Sequence, residues 1–186
     1  MSNIFLTSDT HFFHDKPFIY ASRGFECVEE MNETIIERWN AIVGEDDIVY
    51  HLGDVFMGAD KEAALKMVQR LNGKIYLAYG NHDTDARLKE MANLSNIVDI
   101  QMGYRLKAGK KCVILTHYPT LTANVPPDRV WSFHGHTHQQ ESFVERLPLC
   151  YHVGVDSHNC TPIAWEDAIK EMRERQNEII QRNQKG

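Results

Sequence analysis

Short apolar runs alternate with helically spaced ones through the first half of the chain. Ile4-Phe5-Leu6-Thr7-Ser8, Ile48-Val49-Tyr50-His51-Leu52 and the segment from Lys74 to Tyr79 are too short for helices and read as strands. Between the first two, Val28, Met31, Ile35, Ile36, Trp39, Ile42 and Val43 recur at intervals of three and four, which predicts an amphipathic helix over 28–43. Gly44 supplies its stop. Ala64, Leu65, Val68 and Leu71 predict a second helix over 60–71, closed by Asn72-Gly73. A short helix through Leu88 and Met91 follows the third strand. The order β-α-β-α-β implies parallel strands with right-handed crossovers. In such sheets ligands gather at the carboxyl ends of the strands.

The second half has a different rhythm. Tyr104 to Lys107 and Cys112 to Leu115 flank Ala108-Gly109-Lys110-Lys111, a hairpin signal. Val130 to Phe133 reads as a strand. Ser142 to Glu145 and Leu149 to Val153 predict a further hairpin around Arg146-Leu147-Pro148. Pro119 to Asp128, with Pro126-Pro127, reads as a loop. A last helix is expected from Trp165 to Arg182, with Ile169, Met172, Ile179 and Ile180 as its sparse apolar stripe. Neither a repeat nor a linker interrupts the pattern, so residues 1–186 are expected to form a single domain.

Composition narrows the class. Hydrophobic content of 42% and charged content of 25% are ordinary for a globular protein. No apolar run approaches the roughly 18–20 residues that span a bilayer, so no membrane partner is expected. The start, Met1-Ser2-Asn3-Ile4-Phe5, lacks the basic stretch of an export signal, and a cytoplasmic protein is expected. Cys27, Cys112, Cys150 and Cys160 show no CxxC spacing and read as reduced, mostly buried thiols. Net charge is −6, and no basic cluster exceeds Lys110-Lys111, which argues against a long nucleic acid as partner.

The candidate chemistry lies just after the strands. Five clusters occur in order: Asp9-Thr10-His11, Gly53-Asp54, Gly80-Asn81-His82-Asp83, His117, and Gly135-His136-Thr137-His138. They supply carboxylate, amide and imidazole donors of the kind that hold first-row divalent metals. Each alone also fits a plain structural role. Alone, Asp9-x-His11 is weak evidence and reads as a turn Asp beside a surface His; the Gly80–Asp83 run is a better signal, whose plain reading is a turn with a capping Asn or Asp. Their joint presence, in a chain with ten histidines, favours a metal centre. Phe12-Phe13 and Trp131-Phe133 read as core residues rather than a base-stacking platform.

The order D-x-H, G-D, G-N-H-D, H, G-H-T-H resembles the calcineurin-like metallophosphoesterase superfamily, in particular its small bacterial and phage-type members. The match spans Asp9 to His138. The resemblance implies an α/β four-layer sandwich, with two mixed β-sheets flanked by helices. It further implies two divalent ions. Asp9, His11, Asp54 and His138 would hold one; Asp54, Asn81, His117 and His136 would hold the other, with Asp54 bridging. Mn²⁺ is the expected ion, with Fe, Zn, Ni or Co as substitutes, because mixed imidazole, amide and carboxylate sites suit borderline ions. A hydroxide bridging the metals would attack the phosphorus. His82 would act as the catalytic acid for the leaving oxygen. His14 and His51 stand out as candidates for substrate contact or for support of a ligand. His134, His152 and His158 carry weaker signals of the same kind.

One departure from the pattern matters. The superfamily's protein phosphatases extend their second motif to G-D-x-V-D-R-G, whereas this chain has Gly53-Asp54-Val55-Phe56-Met57-Gly58. The extra Asp and Arg are missing, which argues against a protein phosphatase. The chain is short and has no obvious cap domain and no basic track, and its resemblance to short superfamily members of this kind implies a phosphodiesterase on a small or nucleotide-like phosphate ester. A phosphomonoesterase is the alternative, and a DNA nuclease or a non-catalytic scaffold the remoter ones.

Overall fold

The computed structural model describes residues 2–58, 60–120, 129–138 and 149–185. The expected strand at Ser142–Glu145 and its turn lie outside the described residues. So do most of the Pro119–Asp128 loop and the side chains of Ile179 and Ile180.

The strands are β1 Ile4–Thr7, β2 Ile48–His51, β3 Lys74–Ala78, β4 Ile97–Gln101, β5 Gly103–Ala108, β6 Lys111–Thr116, β7 Val130–His134, β8 Cys150–His152 and β9 Ile163–Ala164. The helices are α1 Pro17–Tyr20, α2 Val28–Ile42, α3 Lys61–Gln69, α4 Asp85–Met91 and α5 Trp165–Lys185. Short 3-10 turns cover Ala21–Arg23 and Val155–Ser157.

Two mixed sheets result. The first has the order β4-β3-β2-β1-β9, the second β5-β6-β7-β8. β1, β2, β3 and β4 run parallel, as the βαβ pattern requires, and β9 is antiparallel to β1. In the second sheet the β5–β6 hairpin is antiparallel, while β6, β7 and β8 are parallel.

The period-two alternation of a strand sends neighbouring side chains to opposite faces. Phe5, Val49, Ile75 and Leu77 pack under α2 and α3, against Met31, Ile35, Trp39, Ala64 and Val68. Leu6, Leu52 and Ala78 face the other way. They meet Val113, Leu115, Trp131 and Phe133 of the second sheet and Ile169 and Met172 of α5. Phe12, Trp131 and Phe133 are fully buried, so they belong to the core.

Three elements exceed what the sequence pattern predicts. α1 is a single turn begun by Pro17, whose fixed φ suits a first helical position. β4 and β9 are edge strands, and β9 has only two residues. α2 ends at Ile42, one residue before the expected boundary, because Val43 turns extended and is buried. All four cysteines are free; Cys150 and Cys160 are buried, and Cys27 is exposed. Among the described residues no helix is long and apolar enough to cross a membrane.

Candidate metal centre

Every candidate ligand sits in a loop directly after a strand. Asp9 and His11 follow β1, Asp54 follows β2 and Asn81 follows β3. His117 follows β6, and His136 and His138 follow β7. Parallel pairing brings these carboxyl ends to one edge. Backbone bonds then lash the loops together: Asp9 N–H donates to Gly53 O at 2.9 Å, His11 N–H to Asp54 O at 3.1 Å, and Gly135 N–H to His117 O at 3.0 Å.

The approach is close enough to demand glycine. Gly53 has φ 92°, and a Cβ there would collide with the backbone of Gly80. A Cβ on Gly80 would collide with Asp54 Oδ1, and one on Gly135 with Ser8 Oγ. Five candidate ligands also have left-handed backbone: Asp9 (φ 57°), His11 (48°), Asp54 (57°), His136 (67°) and His138 (49°). Such angles are uncommon outside glycine and persist where the surroundings over-determine them, often at functional sites.

Two clusters form. Asp9, His11 and His138 bring one donor atom each to within 4.8 Å of one another, and so do Asp54, His117 and His136. Asp54 links them: its Oδ2 lies 3.6 Å from His11 Nε2 and 3.5 Å from His117 Nε2. Asn81 Oδ1 stands 2.9 Å from His117 Nε2.

The donor atoms fit a cation. His117 Nδ1 donates to Leu52 O at 2.8 Å, so in the neutral ring Nε2 is the nitrogen with the lone pair. That lone pair faces the Asn81 oxygen, another acceptor. His11 Nε2 is buried and has no hydrogen-bond partner among the described residues. Burial, aided by the charge of Arg23, pushes the His11 imidazole down to about 2, which keeps it neutral and ready to ligate. Burial also raises the Asp9 carboxyl to about 6, against the pull of His117 and His138. A divalent ion would offset that cost.

His82 sits at the rim with 40% of its side chain exposed. Its N–H donates to Asp54 Oδ1 at 2.9 Å, and its ring centroid is 5.5 Å from that of His11. Arg87 donates to the His82 carbonyl at 2.8 Å and lies over the Phe56 ring. His14 is half-buried, its ring 5.2 Å from His11 and 6.3 Å from His82. His51 is buried: it accepts from Gly53 N–H on Nδ1 and donates from Nε2 to Thr10 Oγ1 at 3.1 Å. The Thr10 hydroxyl in turn donates to Val55 O. His134 is buried beside Gly135 O. His152 Nε2 stands 3.9 Å from Asp9 Oδ2, and the His152 carbonyl faces His158.

Three residues have roles that the sequence pattern does not show: Asp83, which reads there as a turn or cap residue, and Arg23 and Asp156. Asp83 is buried and accepts the N–H groups of Asp54 (2.7 Å), Val55 (3.1 Å) and Gly80 (2.8 Å). Its place directly after Asn81-His82 was the available signal. Arg23 and Asp156 pair with each other behind His138, at 2.9 Å. Isolated charged residues so far apart in the chain carry no local pattern that would reveal them.

Residues 2–181 match the family model of the calcineurin-like phosphoesterases, and the chain belongs to that family. It is therefore a hydrolase acting on phosphoric esters, of a family that works with divalent metals. The chain is 32% identical, over 175 residues, to an uncharacterised protein of Methanocaldococcus jannaschii, covering 91% of each. It is 29% identical to the Gene 66 protein of Mycobacterium phage L5, covering 84% of this chain and 88% of that one. A crystal structure of a protein of unknown function from Aquifex aeolicus superposes with a TM-score of 0.70 at 23% identity. It covers 91% of this chain and 99% of its own, and the likeness is one of fold.

Proposed function

We propose that the protein is a phosphodiesterase acting on small or nucleotide-like esters with two divalent ions, Mn²⁺ preferred. Asp9, His11, Asp54 and His138 hold one ion; Asp54, Asn81, His117 and His136 hold the other. The observation that carries this reading is the Asp54 carboxylate, whose Oδ2 reaches both clusters at 3.6 and 3.5 Å. Two divalent ions held by these residues would supply an activated water and neutralise charge on the phosphate oxygens.

The chain's own residues do the rest. Asp9 and Asp54 set the charge of the centre, cancelling two of four positive charges. His82, exposed at the rim beside His11, holds a proton at its ring nitrogen for the departing oxygen. His14 lines the same side. His51 acts from below, through Gly53 and Thr10, on the loop that carries Asp54.

A diester is favoured over a monoester by charge. A monoester dianion calls for further cations; among the described residues Arg23 is spent on Asp156, and Arg87 donates to the carbonyls of His82 and Gly58. The second motif, Gly53 to Gly58, contains no arginine. Two exposed aromatic rings border the clusters: Phe18, edge-on to His14, and Tyr118, edge-on to His117 and His136. Such rings suit an aromatic or nucleoside ester group. The free thiols of the buried Cys150 and Cys160 support a reducing, cytoplasmic setting.

The test is a screen of chelator-stripped enzyme with each ion added back. Bis(p-nitrophenyl) phosphate and nucleotide diesters are compared with their monoesters. We expect higher kcat/KM on diesters and best support from Mn²⁺. Faster turnover of monoesters in every ion would overturn the diester assignment.

A further inference from the structure

We infer that Asp156, clamped by Arg23, is a positioning residue for His138, and that it makes the Asp9–His11–His138 cluster the higher-affinity ion site. The inference rests on the two-ion reading above. The Arg23 guanidinium donates from Nε to Asp156 Oδ1 at 2.9 Å and from Nη2 to Asp156 Oδ2 at 3.0 Å. The same guanidinium donates to Asp9 O at 2.7 Å and to Thr10 O at 3.1 Å. Asp156 Oδ2 then accepts from His138 Nδ1 at 2.9 Å. One buried fork thus joins the backbone of the first ligand loop to the side chain of the last ligand.

The chain builds this contact from parts that are distant in sequence. Arg23 ends the 3-10 turn behind α1, and Asp156 lies in the 3-10 turn after β8. That second turn is anchored to the first sheet, where Val155 N–H donates to Ser8 O at 3.1 Å. Only 1% of the Arg23 side chain and 7% of the Asp156 side chain are exposed. An ion pair so buried returns little net stability, because desolvation consumes most of its attraction. Its third partner gives it a use. With Nδ1–H fixed on a carboxylate, His138 must present Nε2, and the negative charge behind the ring strengthens that nitrogen as a donor.

The second cluster has no equivalent among the described residues. His117 Nδ1 rests on a neutral carbonyl, Leu52 O. His136 is exposed and packs edge-on against Tyr118, 4.6 Å between centroids. Among the described residues, one ion would therefore be held by braced donors and the other by a neutral brace and an exposed histidine. Loading follows in that order.

The experiment is an Mn²⁺ titration of the full chain after chelator treatment, read by calorimetry and by the spin coupling of paired Mn²⁺ ions. Wild type is expected to bind two ions with separable affinities. In Asp156→Asn the tighter site weakens about 10–100-fold. The other stays within about threefold, and the circular dichroism spectrum is unchanged. The double variant Arg23→Met/Asp156→Asn removes both charges and covers the case in which a lone buried arginine unfolds the single one; it should show the same selective loss. Equal weakening of both sites, or no change at either, overturns the inference. Wild type that binds fewer than two ions removes the two-ion reading itself, a different and earlier result in the same titration.

Discussion

The Asp83 carboxylate holds Asp54 by its backbone: Oδ2 accepts the Asp54 N–H at 2.7 Å, and Oδ1 accepts that of Val55 at 3.1 Å. Oδ2 also accepts Gly80 N–H at 2.8 Å, so one carboxylate closes the loops after β2 and β3 onto each other. Asp83→Ala leaves three amides in a buried site without their charged acceptor. We expect a loss of about 3 kcal/mol or more, since hydrogen bonds to charged groups contribute about 1.5–3 kcal/mol each. Denaturant unfolding in chelator measures it. A change under about 1 kcal/mol would mean that water or a neighbour replaces the carboxylate.

Asp54→Ala tests the shared carboxylate. Its Oδ2 faces both His11 and His117, so removing it should lower ion binding at both clusters. Metal analysis after dialysis should find neither ion retained. Retention of two tightly held ions would show that each cluster is complete without Asp54. Asn81→Ala is the contrast, expected to weaken one ion alone.

His82→Ala should keep both ions and the fold, because its ring has no hydrogen bond to a ligand side chain among the described residues and its side chain is 40% exposed. General acid help is typically worth about 10²–10⁴-fold in rate. The loss should be large for alkyl leaving groups and small for p-nitrophenolate, which departs without a proton. Equal losses on both would reassign His82 from proton donation to phosphate binding.

The legible part of this molecule is the part whose signals are local. Each ligand motif directly follows an apolar run, so Asp9, Asp54, Asn81, His117 and His136 could be placed at strand ends from their neighbours alone. β4 could not, because Val98 is half exposed while Asp99 beside it is partly covered, and no alternation survives. β9 is too short to have a period and exists because β1 offers an edge. Arg23 and Asp156 are 133 residues apart, and a buried ion pair leaves no trace until the chain has folded. Asp83 looked like a capping residue and is the brace of two loops, a difference only its three amide partners reveal.

Four buried histidines set the acid limit of the metal-free protein. Burial pushes His51 down to about 3, with help from His117. It pushes His152 to about 3, with help from His134. It takes His134 to about 4, against its hydrogen bond to Gly135. His11 lies at about 2. Their ordinary value is 6.5, so as pH falls the unfolded chain takes up these protons first. Stability is therefore fully present above about pH 6.5 and is lost as pH falls toward the folded values. Each group contributes about 1.4 kcal/mol per pH unit, so four set an upper slope of about 5.5 kcal/mol per pH unit. Asp9 works the other way. Raised from 3.8 to about 6, it binds its proton in the folded state first and stabilises as pH falls through that window. His138, raised by its hydrogen bond to Asp156, and Asp83, raised by burial, side with Asp9, while His14 and His136, lowered by burial, side with the four; six groups against three leave the lowered histidines in control. Denaturant midpoints in chelator should fall steeply from pH 6.5 to pH 5, and His51→Gln should make that slope shallower by about one proton. A flat profile from pH 7 to pH 5 would show that these imidazoles reach water without unfolding.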